Sequence, residues 1–188
     1  MSLLPIHVLG SPVLREETVP VTEFTDELRT LVADMFETMY AARGIGLAAP
    51  QVGRSERLAV VDVEGQRFVV INPEIVFREG KERAEEACLS MPELYGDVDR
   101  AKKVIVQAVD AEGKAYEIHA SALLARCLQH EIDHLHGKLF IDYLSYLKRR
   151  SALNEWEKLR TAYPGNIRHL TAADAVDDED EAHPEPEM

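Results

Sequence analysis

The 188-residue chain has only two cysteines, Cys88 and Cys127. Two are too few for a disulfide framework. They fit a reducing compartment and leave a thiolate free for other work. No apolar run approaches the ~20 residues that a membrane-spanning helix needs, so no membrane partner is expected. The first residues, Met1-Ser2-Leu3-Leu4-Pro5-Ile6, lack the basic start, apolar centre and cleavage pattern of a secretory signal. The expected location is the cytoplasm. Positive charge is scarce, with 21 Lys and Arg against 34 Asp and Glu, a net charge of −13. That balance argues against broad nucleic-acid binding, DNA included. No internal repeat and no second domain are visible.

The deficit of positive charge is uneven. Residues 171–188 hold eight acidic groups and no Lys or Arg. With proline and almost no large apolar side chains, residues 166–188 are expected to form an acidic, disordered tail. Residues 1–165 are then a single domain, long enough for a core.

Residues 1–23 read as an irregular arm with a turn near Ser11-Pro12-Val13-Leu14. Thr25 is placed to cap a helix whose first turn carries Asp26 and Glu27, favourable at the positive end of the dipole. Leu28, Leu31, Val32, Met35, Phe36, Met39 and Tyr40 recur at helical spacing, one apolar stripe for the core. Gly44 is expected to end this helix. Residues 58–62 and 67–71 flank Glu64-Gly65-Gln66, a hairpin pattern. Asn72-Pro73 is expected to break the run and residues 74–78 to resume it. Residues 103–109 alternate, turn at Ala111-Glu112-Gly113-Lys114 and return over 116–119. A second helix follows, with Ser121 as its N-cap and Gly137 as its stop. After an extended link over 139–144, a third helix runs from Tyr146 to about Ala162, with Trp156 on one face and Pro164-Gly165 ending it. Locally paired strands around one helix predict an α+β fold: antiparallel sheets packed around a central motif-bearing helix, with a C-terminal helix.

That central helix carries Gln129-His130-Glu131-Ile132-Asp133-His134, which contains H-E-x-x-H. Positions i and i+4 share a helix face, so His130 and His134 can offer two imidazoles to one metal. Glu131 lies where it can exchange protons with a water at that metal. Leu123, Cys127, His130 and His134 form one stripe, so the pair is expected to extend a buried face. Catalytic sites of this kind use a third protein ligand. Cys88, His136, His119, Cys127 and Glu155 are the candidates, with His136 on the wrong side of the helix. A second unusual stretch is Gly44-Ile45-Gly46-Leu47-Ala48-Ala49-Pro50-Gln51, whose small residues let another backbone come close. Gln51 is its one amide, either a donor to an oxyanion or a satisfied surface group.

G-I-G-L-A-A-P-Q, E-A-C-L-S and Q-H-E-I-D-H-L, in that order at these separations, resemble the three signature motifs of peptide deformylases. The resemblance spans about residues 1–160. It implies a hydrolase that removes the N-formyl group from the N-terminal methionine of nascent chains. It further implies Cys88, His130 and His134 as metal ligands, with Fe²⁺ the expected ion and Zn²⁺, Ni²⁺ or Co²⁺ able to replace it. Glu131 matches the general acid/base, and Gln51 and the backbone N–H of Leu89 match the donors to the formyl oxygen. Ile45, Gly46 and Ala87 would pair with the extended substrate backbone. Ile45, Leu123 and Cys127 would line the methionine pocket. Transient contact with the ribosome is expected through the cations of the third helix, Lys148, Arg149, Arg150, Lys158 and Arg160.

Two positions depart from the pattern. Ala87 stands where the second motif commonly has Gly. Arg126 flanks the methionine pocket, where its stem is expected to line the wall while its guanidinium reaches water. Glu86 and Arg100 are expected to pair and orient the Cys88 segment, and Asp133 to support the motif helix. Two rivals remain. An H-E-x-x-H metallopeptidase would use Glu155 as its third ligand. A metal-stapled binding module would have no need of Glu131 or Gln51.

Overall fold

The computed structural model describes residues 2–171 and 174. The first helix, α1 (Asp26–Ala41), starts where expected. The Thr25 side chain accepts the backbone N–H of Leu28 at 3.3 Å, which satisfies one of the orphan donors of the first turn. Its buried face is Leu28, Leu31, Val32, Met35, Phe36 and Met39. Tyr40 leaves the expected stripe, because its hydroxyl reaches out to donate to Asp62 at 2.6 Å. The helix stops three residues before Gly44. Arg43, not a glycine, takes the left-handed backbone there, with φ +57°.

A five-stranded antiparallel sheet follows the order β2 (Gly46–Ala48), β3 (Leu58–Val63), β4 (Gln66–Glu79), β7 (Lys103–Val109), β8 (Ala115–Ser121). The long apolar run of β3 is explained by helices on both faces. Val60 packs towards α1 with Met35 and Phe36, while Val61 packs towards the second helix, α2 (Ala122–Leu135), with Leu124 and Leu128. Asn72-Pro73 does not break β4. The pairing register shifts between Ile71 and Glu74, a bulge at which proline's missing N–H costs no ladder bond. Asn72 spends its amide on the arm instead, bonding the backbone N–H and C=O of Val21, both at 2.8 Å.

Two sheets lie outside that expectation. β5 (Glu82–Cys88) and β6 (Met91–Arg100) form a two-stranded hairpin. β1 (Ile6–His7) pairs with β9 (Ile167–Arg168), so paired structure runs past the boundary expected at 165. Most of the acidic tail, with its expected disorder, lies outside the described residues. The third helix, α3 (Tyr146–Leu159), buries Trp156 against a cluster of Met91, Val98 and Phe140. Among the described residues no helix is long and apolar enough to cross a membrane.

Candidate metal centre and substrate cleft

Helix α2 presents the motif. Ser121 is its N-cap residue, as expected, although its side chain makes no capping bond. Gly137 follows it with φ +67°, where a Cβ would meet the Arg15 carbonyl oxygen at 2.6 Å, so glycine is required at this stop. From α2, His130 and His134 point their Nε2 atoms at one another, 3.2 Å apart. The Cys88 sulfur, at the end of β5, lies 3.2 Å from His134 Nε2. These three ligand atoms all fall within 4.8 Å of one another. Thiolate and two imidazoles suit Fe²⁺ or Zn²⁺. Burial, then the neighbouring His130, pushes His134 well below its ordinary pKa; the neutral imidazole is the form that binds metal.

The other candidates for third ligand are elsewhere. Glu155 is exposed on α3 and pairs with Lys158 at 2.8 Å. His119 bonds Glu117, and His136 bonds Glu17. Cys127 donates to the Ile45 carbonyl at 3.6 Å.

His130 is oriented by Glu86, whose Oε2 is 2.9 Å from His130 Nδ1. Arg100 grips both oxygens of Glu86, from Nε at 2.8 Å and Nη2 at 3.0 Å, and Arg126 adds a bond to Oε1 at 2.9 Å. All of the carboxylate's roughly four acceptor sites are filled. Burial alone would raise the Glu86 carboxyl. The bonds from His130 and Arg100 outweigh it and hold the group at about 2. Asp133 extends the network, accepting from Arg100 at 2.5 Å and Tyr143 at 2.8 Å. The Glu86–Arg100 pair is as expected. Arg126 is not: its guanidinium is buried, also donating to the carbonyls of Val98 and Glu82 at 2.9 Å. Those acceptors at the base of the hairpin hold it away from water.

Glu131 faces the centre from the same helix. Burial pushes its carboxyl up to about 7, and its Oε2 has no hydrogen-bond partner among the described residues. A carboxyl poised near neutrality is fitted to exchange a proton. Gly46 makes room for it, since a Cβ there would come within 2.8 Å of the Glu131 Cδ and 2.9 Å of the Cys127 sulfur. Gly44 does the same for Leu89, whose Cδ1 would lie 2.7 Å from an added Cβ.

Gln51 is buried, not the surface amide that was one expectation. Its Oε1 accepts the Ala48 N–H at 2.8 Å, and its Nε2 donates to Ser90 Oγ at 3.1 Å and approaches the Cys88 sulfur at 3.6 Å. The Ala48 bond turns the amide so that its N–H₂ faces the centre. Ser90 was not singled out in the sequence, although it sits inside E-A-C-L-S.

Cys88, His130, Glu131 and Gln51 border one cleft of about 530 Å³, lined also by Ile45, Gly46, Ala87 and Leu123 among others. Leu123 is 46% exposed, so the expected buried stripe of α2 opens at its start into this cleft. Tyr163 and Arg168, from the end of the chain, also line it; nothing in local sequence pointed to them. Among the described residues the outer edge of β2 and that of β5 both lack a strand partner. The cleft lies between them.

The polypeptide deformylase family model matches residues 3–150. A peptide deformylase of Alkalilimnicola ehrlichii is 52% identical over 163 residues, covering 85% of this chain and 92% of the relative. One from Acinetobacter baumannii is 52% identical over 163 residues, 85% of this chain and 93% of its own. The crystal structure of a peptide deformylase from Legionella pneumophila superposes with a TM-score of 0.83 at 49% identity, covering 86% of this chain and 97% of that one. With motif, fold and relatives in agreement over the same residues, the chain belongs to the polypeptide deformylase family.

Proposed function

We propose that this chain hydrolyses the N-formyl group from the N-terminal methionine of nascent polypeptides at the Cys88–His130–His134 centre. What carries this reading is the meeting of the Cys88 sulfur and two imidazoles beside a cleft that also presents the Glu131 carboxyl and the Gln51 amide. Deformylation in this family is metal-dependent. Fe²⁺ is the ion proposed here, with Zn²⁺, Ni²⁺ or Co²⁺ able to occupy the same ligands. When bound, the ion supplies Lewis acidity and brings a water's pKa towards neutrality.

The chain's own residues do the rest. An extended peptide fits as a strand between β2 and β5, pairing with the backbone of Ile45, Gly46 and Ala87. Its methionine side chain enters beside Ile45, Leu123 and Cys127. The Gln51 amide and the Leu89 N–H donate to the formyl oxygen as it gains negative charge; one such donor is worth about 3 kcal/mol. Glu131 takes the proton from the attacking water and delivers it to the leaving amine. Formate and a free methionyl amine are the products.

The single catalytic domain is proposed to span residues 1–165 with β9 docked upon it, in the cytoplasm. The cations of α3 are proposed to make transient ribosome contact. The metallopeptidase alternative lacks support from Glu155, which lies on α3 in a surface ion pair.

Formate release from N-formyl-Met-Ala-Ser tests the reading. Turnover by the Fe²⁺- or Ni²⁺-loaded protein, lost in both Cys88→Ala and Glu131→Gln, is expected. Metal retained in Cys88→Ala would overturn the ligand set. A loaded wild type without turnover would favour the binding module.

A further inference from the structure

Strand β5 forms one wall of the cleft, yet apolar packing does little to hold it. Among the described residues Cys88, its last, is the one it gives to an apolar cluster. Its partner β6 is anchored otherwise, with Met91, Leu94 and Val98 buried beside Phe140 and Trp156. The two strands form a sheet of their own, separate from the five-stranded sheet that carries β2. The place of the β5 edge therefore depends on its ladder with β6 and on side chains that reach it from α2.

Arg126 reaches it. This residue stands four before His130, one turn away on the same side of α2. Its buried guanidinium donates three times at 2.9 Å, to Glu86 Oε1, to the Val98 carbonyl and to the Glu82 carbonyl. Glu82 and Glu86 belong to β5 and Val98 to β6. One planar fork of donors clasps both strands of the hairpin. Two further side-chain bonds join the hairpin to α2, from His130 to Glu86 and from Arg100 to Asp133. Among the described residues Arg126 is the one side chain of α2 that bonds the backbone of β5.

Backbone is what an added strand reads. A peptide lying between two edges sits about 4.8 Å from each, and its bonds weaken when either edge moves off that spacing. β5 ends at Cys88, so a peptide with its formyl group at the centre leaves antiparallel to it, past Ala87 and Glu85. The residues beyond methionine come level with the part of β5 that Arg126 holds.

We propose that Arg126 is a positioning residue that fixes the β5 edge against α2, and with it the preference for peptides that extend past methionine. This rests on the deformylase reading above.

The experiment compares formyl-Met-Ala-Ser with formyl-methionine amide in the metal-loaded wild type, Arg126→Met and Arg126→Lys. Methionine keeps an unbranched stem at the cleft wall and removes the guanidinium. Both substrates use the same centre and the same methionine pocket, so a change there cancels in the ratio of their kcat/KM values. The wild type is expected to favour the tripeptide. In Arg126→Met that preference should fall about fivefold, as for one backbone hydrogen bond lost, with the extra loss in the KM of the tripeptide. Arg126→Lys keeps a charge for Glu86 but has no fork, and should fall between. A merely structural role would slow both substrates alike. A ratio left unchanged in that way would overturn the proposal, as would a wild type that takes both substrates equally. Should Arg126→Met not fold, the Arg126→Lys ratio decides, and a value equal to wild type overturns the proposal. No turnover of the tripeptide by the wild type would overturn the deformylase reading itself, and this role with it.

Discussion

Glu86→Gln is the substitution that the geometry makes most costly. The side chain is only 4% exposed, so water cannot replace the lost charge. The new amide keeps one acceptor oxygen. Its N–H₂ must face either Arg100 with His130 or Arg100 with Arg126, donor against donor in both cases. Two buried guanidinium groups are left with Asp133 as their one carboxylate in the network. Breaking a buried pair in this way costs about 3–5 kcal/mol, a large share of the about 5–15 kcal/mol that holds a domain together. With an m-value of about 2 kcal/mol/M, the urea midpoint should fall by about 1.5–2.5 M. His130 also loses the partner that fixes its ring. Losing such a support weakens metal binding by about tenfold to a hundredfold. Urea unfolding of the metal-free protein reads the first effect, and metal competition with a chelating dye reads the second. Arg126→Leu should cost less, since Glu86 keeps its two-pronged grip from Arg100. A midpoint shift below about 0.5 M for Glu86→Gln, or a larger loss for Arg126→Leu, would refute the reasoning.

Gly46→Ala should lower kcat about a hundredfold, the cost of displacing a catalytic group by about 1 Å, while circular dichroism stays native; unchanged turnover would show that Glu131 can move aside. Gln51→Leu should reduce kcat by about a hundredfold to a thousandfold with little change in KM, checked by steady-state kinetics on formyl-Met-Ala-Ser. Tyr116 predicts an alkaline effect: burial, with Asp110 adding, pushes its hydroxyl up to about 12. A raised value means stability fully present below the ordinary value of 10 and lost as pH climbs through 12. Allowing for partial exposure, the loss is about 1 kcal/mol. Tyr116→Phe gives up the bond to the Val69 carbonyl, about 1 kcal/mol at pH 7, and should close that gap on wild type between pH 10 and 12 in urea titrations. A gap that stays constant would place the Tyr116 titration elsewhere.

Periodicity was enough for α1 and α2, because a helix that buries one face must repeat its apolar residues. Four strands of the large sheet were legible from alternation or from apolar runs between turn signals, whereas β2, inside the Gly-Ala stretch, was not. Nor was the β5–β6 hairpin. Its inward positions include Glu86 and Arg100, which are buried by pairing with each other across the hairpin and with α2. A charge buried in that way looks in sequence like a surface residue. Arg126 misled for the same cause: its three acceptors come from segments 28 to 44 residues away. The three proposed metal ligands each lie in a motif that the sequence shows. Cys88 could be chosen over Glu155 only through the family resemblance, since spacing alone does not bring β5 to α2. Tyr163 and Arg168 were illegible because a two-residue strand carries no pattern of its own.

That strand has a consequence for when the enzyme becomes complete. Ile6 pairs with Arg168, so nearly the whole chain must be made before the two meet. A ribosome adds about 5–20 residues each second, and the arm waits for its partner throughout. The Leu9 N–H bonds the Ser90 carbonyl, and the Val8 N–H bonds the Asn166 carbonyl. The arm therefore joins the loop beside Cys88 to the turn that precedes β9. A molecule still tethered to its own ribosome can assemble α1, the large sheet and α2. The rim of the cleft that Tyr163 and Arg168 supply closes only after residue 168 has left the ribosome.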